Sequence, residues 1–251
     1  METDLSGKIA LVTGATGQLG RVMLRTLAAS GADVVVNYLH DKDMADSLAA
    51  EAVKMGRRAL VISADITKED SVMQMRDSIQ EKLGNVDIVV NNAVIQYKWT
   101  SILNQDINDF YSQFESCTMQ SVLTARAFIP AMIAKKSGRF IGINSECSSL
   151  CNANSGAYAS AKRGMDGLYR VLAKEVGADG ITVNQISPGW TISERDRENN
   201  TENAPNTSGT IALNRRGTDQ EIANVVLFLA SELSSFVTGV NIPVCGGTYM
   251  V

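Results

Sequence analysis

A chain of 251 residues with 45% hydrophobic and 20% charged positions sits near the soluble globular average, and a sheet-and-helix fold of about this size often forms one domain. A formal charge of −4 and a pI near 5.1 exclude the basic footprint that nucleic acid or an anionic membrane would select. One histidine, His40, and four cysteines, Cys117, Cys147, Cys151 and Cys245, match neither zinc spacing nor a disulfide framework, so no metal and reduced cytoplasmic thiols are expected.

From the N-terminus, the polar, acidic stretch 1–8 lacks the layout of a signal peptide, and no later run approaches the ~18 apolar residues of a membrane span. Short apolar runs at 9–12, 33–36, 59–62, 87–90, 140–143, 181–183 and 240–244 predict strands buried on both faces. Between them, apolar residues at three- and four-residue spacing predict helices over 18–29, 43–55, 68–83, 116–136, 157–176 and 219–231. This alternation implies right-handed crossovers, and hence an α/β doubly wound Rossmann fold: a seven-stranded parallel sheet with helices on both faces. Residues 1–251 read as one dinucleotide-binding and catalytic domain. The polar segment around 190–214 is too long for a routine connection and reads as a substrate lid.

Two motifs carry chemistry. The first strand runs into Thr13-Gly14-Ala15-Thr16-Gly17-Gln18-Leu19-Gly20 and then a helix. In that context glycines let the backbone approach a pyrophosphate, while the helix N-terminus supplies unpaired N–H groups and a favourable dipole. Further on, Tyr158 and Lys162 lie at i and i+4, on one face of the predicted helix. A phenol with a free pKa near ~10 is a poor acid/base at neutrality, and a neighbouring cation favours the phenolate. The pair is therefore a candidate proton donor and acceptor for a carbonyl/alcohol couple.

With these motifs stand Ala64-Asp65-Ile66, Asn91-Asn92-Ala93, Ser145 thirteen residues before Tyr158, Val183-Asn184, Ser187-Pro188-Gly189 and Val244-Cys245-Gly246-Gly247. In their order and spacing the chain resembles the compact branch of the short-chain dehydrogenase/reductases over nearly its whole length, and is similar to 3-oxoacyl-carrier-protein reductases and glucose 1-dehydrogenases. The resemblance implies that Tyr158 exchanges the proton, Lys162 lowers its pKa and holds the nicotinamide ribose, and Ser145 orients the carbonyl. It further implies that Gly14, Thr16, Gly17, Gln18, Leu19 and Gly20 receive the pyrophosphate and that Asp65 and Ile66 flank the adenine. Asn91 and Ala93 are expected beside the adenosine ribose, and Pro188, Gly189 and Thr191 at the nicotinamide. A homotetramer is implied as well, paired through the helices matching 103–136 and 157–176 and the last strand, with Met165, Leu168 and Leu172 as exposed apolar contacts.

The sequence departs from the family pattern in four places. Gln18 takes the middle glycine position, Gly17 giving an alternative spacing, Val94 follows Asn91-Asn92-Ala93 in place of glycine, and Cys245 stands where aspartate is usual. Cys117 occupies the place of a relay asparagine that, in the resemblance, distorts a helix and holds a water through its main chain, linking Lys162 to solvent. If the relay uses the backbone carbonyl and the distortion, Cys117 substitutes; if it uses the amide, turnover is slow.

At the end of the second strand, Asn37 has no charge to repel a 2′-phosphate, and Tyr38, His40 and Lys42 could help hold one, so NADP(H) is favoured with NAD(H) as the alternative. The expected activity is hydride transfer between nicotinamide and a small polar carbonyl or alcohol. The competing readings are a 3-oxoacyl-thioester reductase and a dinucleotide-binding protein with little turnover.

Overall fold

The computed structural model describes residues 3–202 and 210–250. Its first half alternates β1 (Ile9–Val12), α1 (Gln18–Ala29), β2 (Asp33–Tyr38), α2 (Lys42–Lys54), β3 (Ala59–Ser63), α3 (Glu69–Lys82) and β4 (Ile88–Asn91). The second half adds α4 (Ile107–Gln113), a π-helical turn (Phe114–Met119), α5 (Gln120–Lys135), β5 (Gly138–Ile143), α6 (Cys147–Leu150), α7 (Gly156–Val176) and β6 (Ile181–Pro188). Next come β7 (Thr191–Ile192), α8 (Glu194–Glu198), β8 (Gly217–Thr218), α9 (Asp219–Ala230) and β9 (Asn241–Val244).

Seven strands pair in parallel in the order β3-β2-β1-β4-β5-β6-β9, the expected doubly wound sheet. Every residue of β1, β4, β5 and β6 is buried, because crossover helices cover both faces. Alternation along β1 sends Ala10 and Val12 into one apolar layer and Ile9 and Leu11 into the other. The first layer is filled by α1, α2 and α9, through residues such as Leu24, Leu48 and Val226. The second is filled by α3, α5 and α7, through Ile79, Phe128 and Tyr169. Strand order reverses at β1, where β2 leaves to one side and β4 lies on the other. That reversal opens a crevice at the carboxyl ends of the strands.

Three expectations need correction. The helix expected over 116–136 runs from Ile107 to Lys135 with the π turn in its middle. Its first part was hidden because Ile107 and Tyr111 face solvent and leave no apolar stripe. Met165 is completely buried in the second layer, and Leu168 and Leu172 are partly buried; the exposed apolar residue on that helix is Val171. The region beyond β6 is not one irregular lid, since it contains the paired β7 and β8 and the short α8, while positions 203–209 of the expected lid lie outside the described residues.

The described part of the segment after β6 is held by a capping box and ion pairs. Ser193 and Asp196 form a capping box at the start of α8. The Arg216 guanidinium is buried on the Asp196 carboxylate, donates to the Thr191 carbonyl at 2.9 Å, and stacks 4.8 Å from the Trp190 ring. Those bonds hold the Asp196 carboxyl well below the usual carboxylate range, the Arg216 guanidinium being the largest cause. Arg197 pairs with Asp219 at 2.6 Å, joining α8 to α9.

Packing of β5 on α7 yields a test. A Cβ at Gly142 would lie 2.6 Å from the Tyr169 ring, and both residues are buried. Gly142→Ala should therefore destabilise the fold by about 1–3 kcal/mol through overpacking, read as a lower denaturation midpoint in urea at unchanged slope. An unaltered midpoint would contradict the packing described.

Candidate active site

The crevice is a cleft of about 1030 Å³, at the upper end of ligand-pocket sizes. It runs from Leu39, His40 and Asp41 past the glycine loop to Ser145, Tyr158 and Lys162. Thr16 and Gly17, directly before α1, and Gln18 and Leu19, its first two residues, line its middle. The N-cap Gly17 has no side chain to cap the helix, and the first turn of α1 holds no acidic residue, so its first N–H groups and the positive end of the helix dipole are left open at the cleft. Gly14 has φ +59°, and a Cβ there would lie 2.9 Å from the Ala93 Cα. Gly20 does not line the cleft; a Cβ on it would come within 2.4 Å of the Gly14 carbonyl oxygen, so its role is to let helix and loop close on each other. This cradle, a helix end capped by glycine and free of acidic residues in its first turn, fits a dinucleotide pyrophosphate.

Toward the β3 side, Asp65 and Ile66, the residues expected to flank an adenine, line the cleft. Asp65 is also engaged locally, its Oδ1 accepting from the N–H and hydroxyl of Thr67 at 2.9 and 2.7 Å. Two expectations fail in their detail. Asn91 is enclosed away from the cleft, its amide donating to the Tyr169 hydroxyl at 3.0 Å and accepting from Thr124 at 2.9 Å. Its neighbour Asn92 lines the cleft instead. Asn37 touches the cleft but is 1% exposed; its Oδ1 accepts from Gly14 N–H at 3.1 Å and its Nδ2 donates to the Ala64 carbonyl at 3.2 Å. It is thus a brace between the β1 loop and the end of β3. Tyr38 packs on the first apolar layer, and the side chains that β2 delivers to the cleft beyond Asn37 are Leu39, His40 and Asp41.

At the other end, Ser145 follows β5 and Tyr158 and Lys162 come from the first two turns of α7. The Lys162 ammonium sits 5.6 Å from the centroid of the Tyr158 ring and donates to the Ile143 carbonyl at 2.6 Å. Burial pushes the Tyr158 phenol above its ordinary value; Lys162 and the Ser145 hydroxyl pull it back without reversing the direction. Pro188, Gly189 and Thr191, the residues expected at a nicotinamide, line the cleft, and so does Val94. Cys117 does not reach the cleft. It is fully buried in the second apolar layer, inside the π turn, with its carbonyl accepting from the Ser121 hydroxyl at 3.3 Å.

Several supporting residues were given no role by sequence reasoning. Asn144 accepts from Ser145 N–H at 2.8 Å and donates to the Lys162 carbonyl at 3.1 Å and to Gln185 at 2.8 Å, tying the serine loop to α7 and β6. Asn92 donates to the carbonyls of Thr13 and Gly14 at 2.9 and 3.1 Å. The Thr13 hydroxyl accepts in return from the N–H groups of Asn92 and Ala93. Polar residues immediately after apolar strand runs were the available signal. Tyr97 carried none: its hydroxyl accepts from Tyr158 N–H at 3.0 Å, in the first turn of α7.

A family profile described as enoyl-(acyl carrier protein) reductase matches residues 14–249. The chain is 35% identical to the 3-oxoacyl-(acyl-carrier-protein) reductase FabG of Salmonella typhimurium, over 99% of this chain and 100% of that one. Among solved structures, a candidate gluconate dehydrogenase of Agrobacterium tumefaciens superposes with a TM-score of 0.92 at 29% identity, covering 100% of this chain and 99% of that one. A gluconate 5-dehydrogenase of Burkholderia cenocepacia, solved with NADP and tartrate, superposes with a TM-score of 0.88 at 27% identity, covering 98% and 97%.

The Asn37 brace changes what a substitution there should do. Asn37→Asp keeps the acceptor for Gly14 but sets a buried carboxylate against the Ala64 carbonyl, a loss of about 1–3 kcal/mol. Stability should fall and NADPH and NADH should both bind more weakly; a simple exchange of preference toward NADH at unchanged stability would contradict the brace.

Proposed function

The chain belongs to the short-chain dehydrogenase/reductase family and is an NAD(P)-dependent oxidoreductase of a carbonyl/alcohol couple; from that premise we propose that it uses NADP(H) on a small polar substrate, with Tyr158 as the acid/base. The observation that carries this reading is the meeting of Ser145, Tyr158 and Lys162 at one end of a single cleft whose middle is the glycine loop. NADP in the complex of the Burkholderia relative supports the cofactor, and the tartrate in the same complex supports a small, hydroxylated substrate. The fatty-acyl alternative draws on the Salmonella relative. A chain with little turnover is disfavoured by the intact Ser145, Tyr158 and Lys162.

When bound, the nicotinamide supplies or accepts the hydride. Ser145 donates to the substrate oxygen and fixes the carbonyl against Tyr158, whose phenol gives its proton as reduction proceeds. Because burial keeps that phenol protonated above its ordinary range, the resting side chain is ready to act as an acid. Lys162 steadies the phenolate that remains. The π turn at Cys117 supports the version of the relay that depends on main-chain distortion, since the distortion is present with a cysteine in place. The exposed Ile107, Tyr111 and Phe114, with Val171 on α7, support pairing of copies through these helices and a homotetramer.

Four outcomes are expected. Tyr158→Phe should cut turnover at least ~100-fold, the lower bound for general acid–base catalysis, with the fold retained; near-full activity would remove the tyrosine from the mechanism. Reduction needs the phenol and oxidation the phenolate, so oxidation should rise, and reduction fall, as pH rises through the Tyr158 pKa. Lys162→Met removes the cation that pulls that pKa down, so both inflections should move to higher pH; movement to lower pH would contradict the assigned role. Cys117→Asn should change turnover less than about tenfold if the main chain carries the relay, and a hundredfold gain would show the opposite. Light scattering should give four copies of the 27.0 kDa chain, against a monomer as the contrary result.

A further inference from the structure

The arginines around the lid are nearly all neutralised. Arg21 and Arg25 both hold Glu194, and Arg25 also holds Glu51. Arg197 holds Asp219, Arg215 holds Glu221, and Arg216 is buried on Asp196. Arg195 is the exception: it lines the cleft, and among the described residues it has no carboxylate, carbonyl or ring partner. The other cationic side chain on the cleft wall, Lys162, is turned to the Ile143 carbonyl. An exposed guanidinium at a cleft rim without a counter-charge is suited to an oxyanion that arrives with a ligand.

Its location says which oxyanion. Glu194, the residue before it, is ion-paired to Arg21 and Arg25 on the first two turns of α1, and Arg21 donates Nε to the Thr16 carbonyl at 2.8 Å. The start of α8 is thereby tied to the glycine loop itself. That loop offers N–H groups and the dipole of α1, but Thr16, Gly17, Gln18 and Leu19 supply no cation. The 2′-phosphate end, at Leu39 to Asp41, lies beyond β2 at the far end of the cleft. We propose that Arg195 is a lid-borne clamp for the pyrophosphate of the bound dinucleotide, donating to it from the side opposite the α1 N-terminus. The proposal rests on the dinucleotide-binding reading above.

The test is direct binding to the full chain without turnover. ADP-ribose, NADH and NADPH are titrated by calorimetry into the natural protein, Arg195→Met and Arg195→Lys, alongside melting curves for each variant. Because Arg195 has no partner to lose, the melting temperature should not move. Arg195→Met should weaken all three ligands by the same factor, about tenfold, as expected for loss of a charge-assisted contact, with Arg195→Lys in between. Its binding should also depend less steeply on salt. Unchanged dissociation constants would overturn the proposal, including where only the KM of carboxylate substrates rises, which would place the arginine on the substrate. A loss confined to NADPH would overturn it in favour of the 2′-phosphate. If the natural protein fails to bind ADP-ribose, the dinucleotide reading falls and the clamp with it, whereas binding that Arg195→Met leaves intact removes the clamp alone.

Discussion

The reversal of strand order beside β1 is the constraint on which the molecule depends. A right-handed crossover must leave β1 toward β2 on one side, and the return through α3 must place β4 on the other, so no helix can cover the gap between them. The loops after β1, β4, β5 and β6 therefore surround one crevice. The glycine loop, Asn92 and Ala93, Asn144 and Ser145, and Gly189 to Thr191 directly follow those strands.

A crevice between loops would be soft unless its rim were braced, and the bracing is done by buried polar side chains. Asn37 joins the ends of β1 and β3, Asn92 and Thr13 join β1 to β4, and Asn144 joins β5 to α7 and β6. Each satisfies main-chain groups that the strands leave unpaired as they end, and satisfied networks of this kind rigidify what they connect. The consequence is that Ser145 and Lys162 are held by the same amide, so the serine and the ammonium near the Tyr158 ring are positioned together.

The fold was legible because a sheet buried on both faces demands continuous apolar runs, and each of the seven expected strands is present. The motifs at strand ends were legible for the same reason: glycine, serine and the Tyr158/Lys162 pair stand out against that background. Direction was harder. Asn37 and Tyr38 fall at the right place in sequence, yet the alternation of β2 turns one toward Gly14 and the other into the apolar layer, leaving the cleft to Leu39 and His40. Asn91 and Met165 failed similarly, since which side of an element faces the core depends on partners far away in sequence. The segment after β6 was legible only as polar, because its order comes from ion pairs such as Arg216 with Asp196, and spacing does not announce which charge meets which.

The central claim is hydride transfer in this cleft under the control of Tyr158. It is tested most directly with NADPH carrying deuterium at nicotinamide C4, incubated with the protein and a panel of sugars, sugar acids, diketones and acyl thioesters, with products read by mass spectrometry. The account predicts a reduced product of a small polar carbonyl with deuterium on its new carbinol carbon, lost in Tyr158→Phe. Tight binding of the labelled cofactor with no deuterated product from any class, or equal deuterium transfer by Tyr158→Phe, would contradict it.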